Sequence, residues 1–406
     1  MSDQDNLKVK RSTTVYKNMH DSHLISQYYK INTSYISNKR EIYGASPTDI
    51  FIGRYGYPKV FAGPMVPPRL GDTSILASPE SWRSMSISDI FNMRFSLVRG
   101  MFITDVRGKE NGREIEKVRE LAMSTNSVYS EVNFSKSLYT TPELGESVEP
   151  FGLSGKISSF DITNTKADNR IEDKYLDTDA TAKDSVIELY DKGVAVSKIT
   201  RAFSAGLFGI GANRKLVPTR WSITAVDDTI SKQKVEEIKG YEEIDHIEVY
   251  YNVSLDNRWM IVVMPGQWGY ESIEAWYPNT AWNENPNEVS IFSSSEGYNG
   301  RKGYAEIGGC YYAARLAVAE KLHRIRKQAK ILILREVHDG YVLPVGVWNV
   351  REHVRETLDG RPIILDNEAK IVDMISERFD ITPKEWLRNS TILKSIFLQM
   401  QLSKFF

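Results

Sequence analysis

The chain has 406 residues, 41% of them hydrophobic and 26% charged, with a formal net charge of −1. That balance suits a folded protein with core enough for a large domain or two, and it denies a global basic excess, so any contact with nucleic acid has to come from local patches. No apolar run approaches the ~18 residues that span a bilayer, MSDQDNLKVKRSTT at the start lacks a signal-peptide core, and the single cysteine, Cys310, excludes an intrachain disulfide and a multi-cysteine zinc site. The chain reads as cytoplasmic, with no membrane partner.

Residues 1–45 are polar and read as an arm. His20 and His23 in HDSH offer two ligands where structural zinc wants four, so they read as surface residues and no metal is expected. GRYGYPKVFAGPMVPP (53–68) holds four prolines and cannot be a long helix; YPKVFAGP reads as a short strand leaving a turn. In 86–98, Ile87, Ile90, Phe91, Phe95 and Val98 fall at helical spacing, with Ser86 or Ser88 as cap. A second amphipathic helix covers 112–125, 136–180 reads as irregular, and helices at 181–192 and 194–207 flank Gly193 as a C-cap glycine.

After about residue 240 the pattern turns to strands. HIEVYYNVSL and RWMIVVMP, joined at Asp256-Asn257, read as a hairpin, and GYESIEAWYP and EVSIFSS as further strands. Residues 306–329 predict a long helix with Val318, Leu322, Ile325 and Ala329 on one stripe; KILILREV is a buried strand, YVLPVGVWNV another, VREHVRETL a helix, and Pro383 opens a last helix through TPKEWLRNSTILKSIFL. Strands and helices without βαβ alternation predict an α+β fold. The expected organisation is a mainly helical and irregular half over 46–240, a β-rich half with a long basic helix over 241–390, and a flexible tail over 391–406.

Four groups of residues carry candidate chemistry. In SAGLFGIGANRKLVPTRWSITAVDDT (204–229), Gly206, Gly209 and Gly211 open a loop before Arg214, Lys215 and Arg220, a pattern able to cradle phosphates. It lacks the G-K-[ST] of nucleoside-triphosphatases and also reads as a solvated basic turn. The long helix and its end carry Lys321, Arg324, Arg326, Lys327 and Lys330, either a DNA-binding face or a solvated one. Trp259, Trp268, Trp276 and Trp282, with Tyr270 and Tyr277, are either core or a platform for unpaired bases.

The carboxylates form the fourth group. Asp227-Asp228, Glu271, Glu274, Glu306 and Glu336, with Arg335 and His338, could hold Mg²⁺ for phosphodiester hydrolysis or activate water for base excision. Against this, Asp227 reads as an N-cap, and Glu336 and His338 as buried hydrogen-bonding groups. Cys310, between Gly308-Gly309 and Tyr311-Tyr312, reads as a small residue at a packed helix start. No diagnostic catalytic motif is present, so a nuclease or glycosylase, a DNA-binding factor and an adaptor all stay open. No cofactor is expected, and a divalent metal only for a nuclease.

The chain stops at QMQLSKFF. Gln399, Leu402, Phe405 and Phe406 stand at i, i+3, i+6 and i+7, so one or two turns of helix or 3₁₀-helix put the apolar groups on one side. Q-x-x-L-x-x-F-F resembles the PIP box by which replication and repair proteins dock on the PCNA sliding clamp; the alternative is a tail that plugs its own core. GRYGYP…GPMVPP, LVPTRWSITAVDDT, GGCYYAARLAVAE and REVHDGYVLPVGVWNVRE, in that order, resemble the archaeal Nre family. The resemblance implies a role in DNA repair, with PCNA and DNA as partners. Many members carry an N-terminal cysteine cluster, and with no cysteine before Cys310 this chain is similar to the branch without it.

Overall fold

The computed structural model describes residues 33–139, 148–280, 282–283, 285–341 and 344–402. The chain divides into two compact units, Met1–Ile230 with Pro344–Trp348, and Ser231–Leu343 with Asn349–Phe406. Each contains a six-stranded sheet with one parallel neighbour pair, and the fold is α+β as the sequence predicts.

In the first unit the strands are β1 (Glu41–Ser46), β2 (Ile50–Ile52), β3 (Lys59–Val66), β4 (Val98–Asp105), β5 (Val128–Phe134) and β6 (Ser154–Thr163), in sheet order β1-β5-β6-β4-β3-β2. β1 begins inside the stretch read as a polar arm, and β6 inside the stretch read as irregular. Both carry little apolar signal: in β6 only Ser154, Gly155 and Phe160 are buried, and in β1 the residues buried after Ile42 are Gly44, Ala45 and Ser46. The backbones of β3 and β4 approach so closely at Gly63 that an added Cβ would stand 2.1 Å from the Gly100 carbonyl oxygen, which explains a glycine beside Pro64 in mid-strand.

The helices of this unit are α1 (Ile87–Arg94), α2 (Gly112–Met123), α3 (Asn169–Leu176), α4 (Ala182–Asp191), α5 (Val196–Ser204) and the start of α6 (Thr219–Ile238). Ser86 caps α1: its Oγ accepts the Asp89 N–H at 3.1 Å, and Asp89 takes the Ser86 N–H at 3.2 Å. Gly193, at φ +74°, closes α4 as predicted, donating to the Tyr190 carbonyl at 2.9 Å.

The second unit holds β8 (Ile247–Ser254), β9 (Asn257–Met264), β10 (Gly269–Trp276), β11 (Ser290–Glu296), β13 (Lys330–Val337) and β14 (Ile363–Leu365), in order β11-β10-β13-β9-β8-β14. β7 (Glu242–Glu243) and β12 (Lys327–Gln328) pair beside it. The β8–β9 turn is Leu255-Asp256, both with positive φ as a two-residue hairpin turn requires, one place earlier than predicted. One face of the sheet, with Val249, Met260, Val262, Ile273 and Leu332, packs on α9 (Ala369–Arg378), α10 (Pro383–Asn389) and α11 (Thr391–Leu402) through Ile371, Ile375, Trp386, Leu393 and Ile396. Each such buried side chain contributes about 1.5–3 kcal/mol of transfer free energy. The other face meets α7 (Gly309–Ile325) and α8 (Trp348–Asp359), where Tyr270 packs on Tyr311 and Trp259 on His353.

Three sequence expectations change here. The long helix stops at Ile325, because Arg326 turns left-handed (φ +53°) and Lys327 enters β12. YVLPVGVWNV is no strand among its described residues; helix α8 starts at Trp348. The helix from Pro383 breaks at Ser390, whose extended backbone separates α10 from α11. Among the described residues no helix is long and apolar enough to cross a membrane.

Candidate functional site

In the first unit the glycine loop folds tightly enough that a Cβ on Gly206 would lie 2.7 Å from the Lys215 carbonyl oxygen. Arg214 serves this fold. Its Nε donates to the Gly209 carbonyl at 2.7 Å and its terminal nitrogens to the carbonyls of Lys174, Tyr175 and Asp177, stapling the loop to the C-terminal end of α3. Its guanidinium thus faces backbone carbonyls, where the sequence expectation had it facing phosphate.

Lys215 and Arg220 have a different setting. The Leu216 N–H donates to the Val106 carbonyl at 2.6 Å, the Val106 N–H to the Pro58 carbonyl at 3.0 Å, and the Ile52 N–H to Thr219 Oγ1 at 2.9 Å. These bonds bring the 215–221 segment, the turn after β4 and the GRYGYP turn to one patch of surface. Lys215 is exposed there and Arg220 half-buried. Trp221, 45% exposed in the first turn of α6, meets Tyr57, 39% exposed, with ring centroids 5.3 Å apart. Sequence reasoning missed this aromatic pair, although both residues stand in motifs it had singled out. Asp227 lies fully buried in mid-helix, so it is not the N-cap it was read as; Asp228 is half-buried.

In the second unit the basic residues at the end of α7 are matched by neighbours. Lys321 Nζ donates to the Leu358 carbonyl at 3.0 Å and lies over the Tyr250 ring. Arg324 pairs with Asp359 at 3.2 Å, Lys327 with Glu242 at 3.0 Å, and Arg326 stacks on Tyr241. Lys330, half-buried, opens β13. The arrangement is a charge-compensated face.

Trp259, Trp268 and Trp276 are core residues, each about 1% exposed, as are Tyr270 and Cys310. Arg335, equally buried, lies 4.8 Å from the Trp259 ring and 5.1 Å from the Trp276 ring, and pairs with Glu274 at 2.9 Å. Buried charges demand such pairing. Glu306 is exposed in a turn.

Glu271 and Glu336 do not converge. In the parallel register Glu271 faces Leu332 and Glu336 faces Ala275, so they stand four positions apart along the sheet, about 13 Å at ~3.3 Å per residue. The Glu271 carboxylate accepts Ser390 Oγ and the N–H groups of Thr391 and Ile392. Glu336 accepts the Ile381 N–H at 2.9 Å and joins His338 and Asp380, with ligand-type atoms all within 4.8 Å of one another. Asp380 is bound by Arg258 at 2.7 Å, which also stands 3.7 Å from Glu336, so a cation already faces these carboxylates. Tyr277 stacks on His338 at 4.3 Å, and burial, then the charges of Glu336 and Asp380, push its phenol well above the usual range.

Gln399 and Leu402 belong to the last turn of α11, while Phe405 and Phe406, like His20 and His23, lie outside the described residues. The first half of α11 is seated in the core through Ile392, Leu393 and Ile396.

The fold is that of a two-unit α+β protein in which buried Glu271 caps a helix of the second unit and Tyr57 meets Trp221 on the surface of the first. The chain belongs to the archaeal Nre family: the model "Archaeal Nre, N-terminal" matches residues 21–283 and "Archaeal Nre, C-terminal" residues 296–405. It is 41% identical over 360 residues to DNA repair protein NreB of Archaeoglobus fulgidus, covering 88% of this chain and 90% of that protein. It is 34% identical over 364 residues to DNA repair protein NreA of Haloferax volcanii, covering 86% of each. No solved structure matches.

Proposed function

We propose that this chain is a DNA-repair factor that docks on the PCNA sliding clamp through Gln399, Leu402, Phe405 and Phe406 and binds DNA without cutting it. The observation that carries the reading is the Q-x-x-L-x-x-F-F box at the end of a helix whose first turns are fixed in the core by Ile392, Leu393 and Ile396. A helix seated in the core at its start and carrying Gln399 and Leu402 in its last turn suits delivery of a short motif to a partner. Relatives named as DNA repair proteins support the repair setting. The non-catalytic preference rests on Glu271, Glu274 and Glu336, each already engaged by hydrogen-bond donors or an arginine.

On the clamp, Leu402 and the two rings would enter one apolar pocket while Gln399 makes polar contacts beside it. Removing both rings deletes up to roughly 3–6 kcal/mol of gross burial, and at about 1.4 kcal/mol per tenfold a micromolar complex falls below detection. Clamp titration of Phe405→Ala/Phe406→Ala, beside its melting curve, tests this. Lost binding with an unchanged melting temperature is the expected result; a parent that does not bind the clamp, with a variant that melts several degrees lower, means the rings plug their own core.

A further inference from the structure

The first unit presents an aromatic pair to solvent among cations. Trp221 and Tyr57 are in tilted contact, come from elements far apart in sequence, and are both more than a third exposed. Beside Tyr57, Tyr55 is 58% exposed, and the Arg54 guanidinium lies 4.9 Å from its ring centroid and donates to its hydroxyl at 3.1 Å. The backbone ladder from Leu216 through Val106 to Pro58 carries Lys215 and Arg107, both exposed, to the same surface. The neighbouring acids are committed: Asp105 accepts the N–H groups of Arg107 at 2.8 Å and Glu110 at 3.0 Å, and Glu110 pairs with Lys59 at 3.2 Å. Among the described residues Lys215 and Arg107 have no ion pair.

Large rings held in water forgo their burial, and these two are fixed from both sides: Trp221 by the first turn of α6 and Tyr57 by the turn into β3. Exposed aromatic faces at fixed spacing beside unpaired cations match a strand that offers π-faces and phosphates together. A duplex, its bases stacked on one another, offers only its phosphates to such a surface.

We infer that Tyr57 and Trp221 form a stacking platform for unpaired bases of single-stranded DNA, with Arg54, Arg107 and Lys215 on its phosphates. The choice of DNA over other strands rests on the repair function proposed above; the platform does not rest on the clamp box.

The test uses the full chain and a labelled oligothymidylate, followed by fluorescence anisotropy, beside a base-free oligomer of the same length, a duplex and an oligouridylate. The parent is expected to bind oligothymidylate at least tenfold more tightly than the base-free strand. Tyr57→Ala/Trp221→Ala removes that difference and leaves base-free binding unchanged, Trp221→Phe restores part of it, and Arg54→Glu/Lys215→Glu weakens both strands. The charge variant changes no fully buried side chain, Arg54 being half-buried and Lys215 exposed, and keeps the test open if the aromatic variant fails to fold. Equal binding of the base-containing and base-free strands overturns the platform, as does a folded aromatic variant with parental affinity; tighter binding of duplex or of oligouridylate overturns the assignment to single-stranded DNA. Clamp binding, measured on the same samples, separates the two ideas: a platform that fails with clamp docking intact leaves the recruitment reading standing, and the converse leaves the platform.

Discussion

Glu271 in β10 accepts the Ser390 hydroxyl at 2.7 Å, and the same carboxylate takes the N–H groups of Thr391 at 2.8 Å and Ile392 at 2.9 Å. A buried carboxylate on a strand thus caps the N-terminus of the chain's last helix, where orphan amides and the helix dipole both favour an anion. Ser390 breaks the path from α10, and Glu271 makes the break affordable.

Glu271→Ala leaves those amides buried without an acceptor and deletes three charge-assisted bonds. A loss of about 2–4 kcal/mol is expected, read as a lower urea midpoint. Glu271→Gln, which keeps an acceptor oxygen, should lose less. An alanine variant with the parental midpoint would mean that α11 is held by its apolar contacts alone.

Arg335 and Glu274 are a buried pair with aromatic walls. Removing only the arginine strands a carboxylate in the core, so Arg335→Ala should destabilise the fold by about 3–5 kcal/mol in denaturant titration. Arg335→Met/Glu274→Leu, which removes both charges, should recover much of that loss. A double variant less stable than Arg335→Ala would show that the pair contributes more than it costs to bury.

What the sequence made legible follows from what each element hides. Ser86, Gly193 and Pro383 marked helix ends because their local chemistry fixes backbone geometry wherever they stand. β6 stayed hidden because Ser154, Gly155 and Phe160 are its only buried residues, and β1 because Gly44, Ala45 and Ser46, buried after Ile42, carry little apolar signal. The tryptophans were legible as a cluster but not as core or platform: Trp259, Trp268 and Trp276 are buried, while Trp282 is half-buried. The carboxylates were visible as residues but not as partners, since Glu271 meets its amides across 119 residues or more of chain. The Tyr57–Trp221 contact, equally long-range, was beyond any local pattern.

Asp168 caps α3 and is held by Arg170 at 2.8 Å, with Lys198 at 3.5 Å. The Arg170 hydrogen bond, then the charges of Lys198 and Arg170, lower its pKa from the ordinary 3.8 to about 2. The folded-state value is depressed, so this stabilisation is fully present above about pH 4 and is lost as pH falls towards 2. Asp168→Asn should melt lower than the parent at pH 6, and the gap should narrow from pH 4 to pH 2. A gap that stays constant across that range would mean the carboxylate charge contributes nothing to folding.

The two cationic sets should behave differently in salt. Counterion release makes log affinity fall linearly with log salt, with a slope of roughly 0.7 per phosphate contact on a single strand and 0.9 on a duplex. At the end of α7, Lys321 is tied to the Leu358 carbonyl and Arg324 to Asp359, so freeing them for phosphate breaks existing contacts. Lys215 and Arg107, both exposed on the surface that carries Trp221, have no ion pair among the described residues. Lys215→Ala/Arg107→Ala should therefore flatten the slope by about one to two contacts, while Lys321→Ala/Arg324→Ala leaves it parental. Arg214→Ala is the structural control: its guanidinium holds carbonyls of α3, so melting temperature falls. If the α7 variant flattens the slope and the Lys215 variant does not, the phosphate footprint lies on the second unit, and the aromatic pair of the first unit would have to act without it.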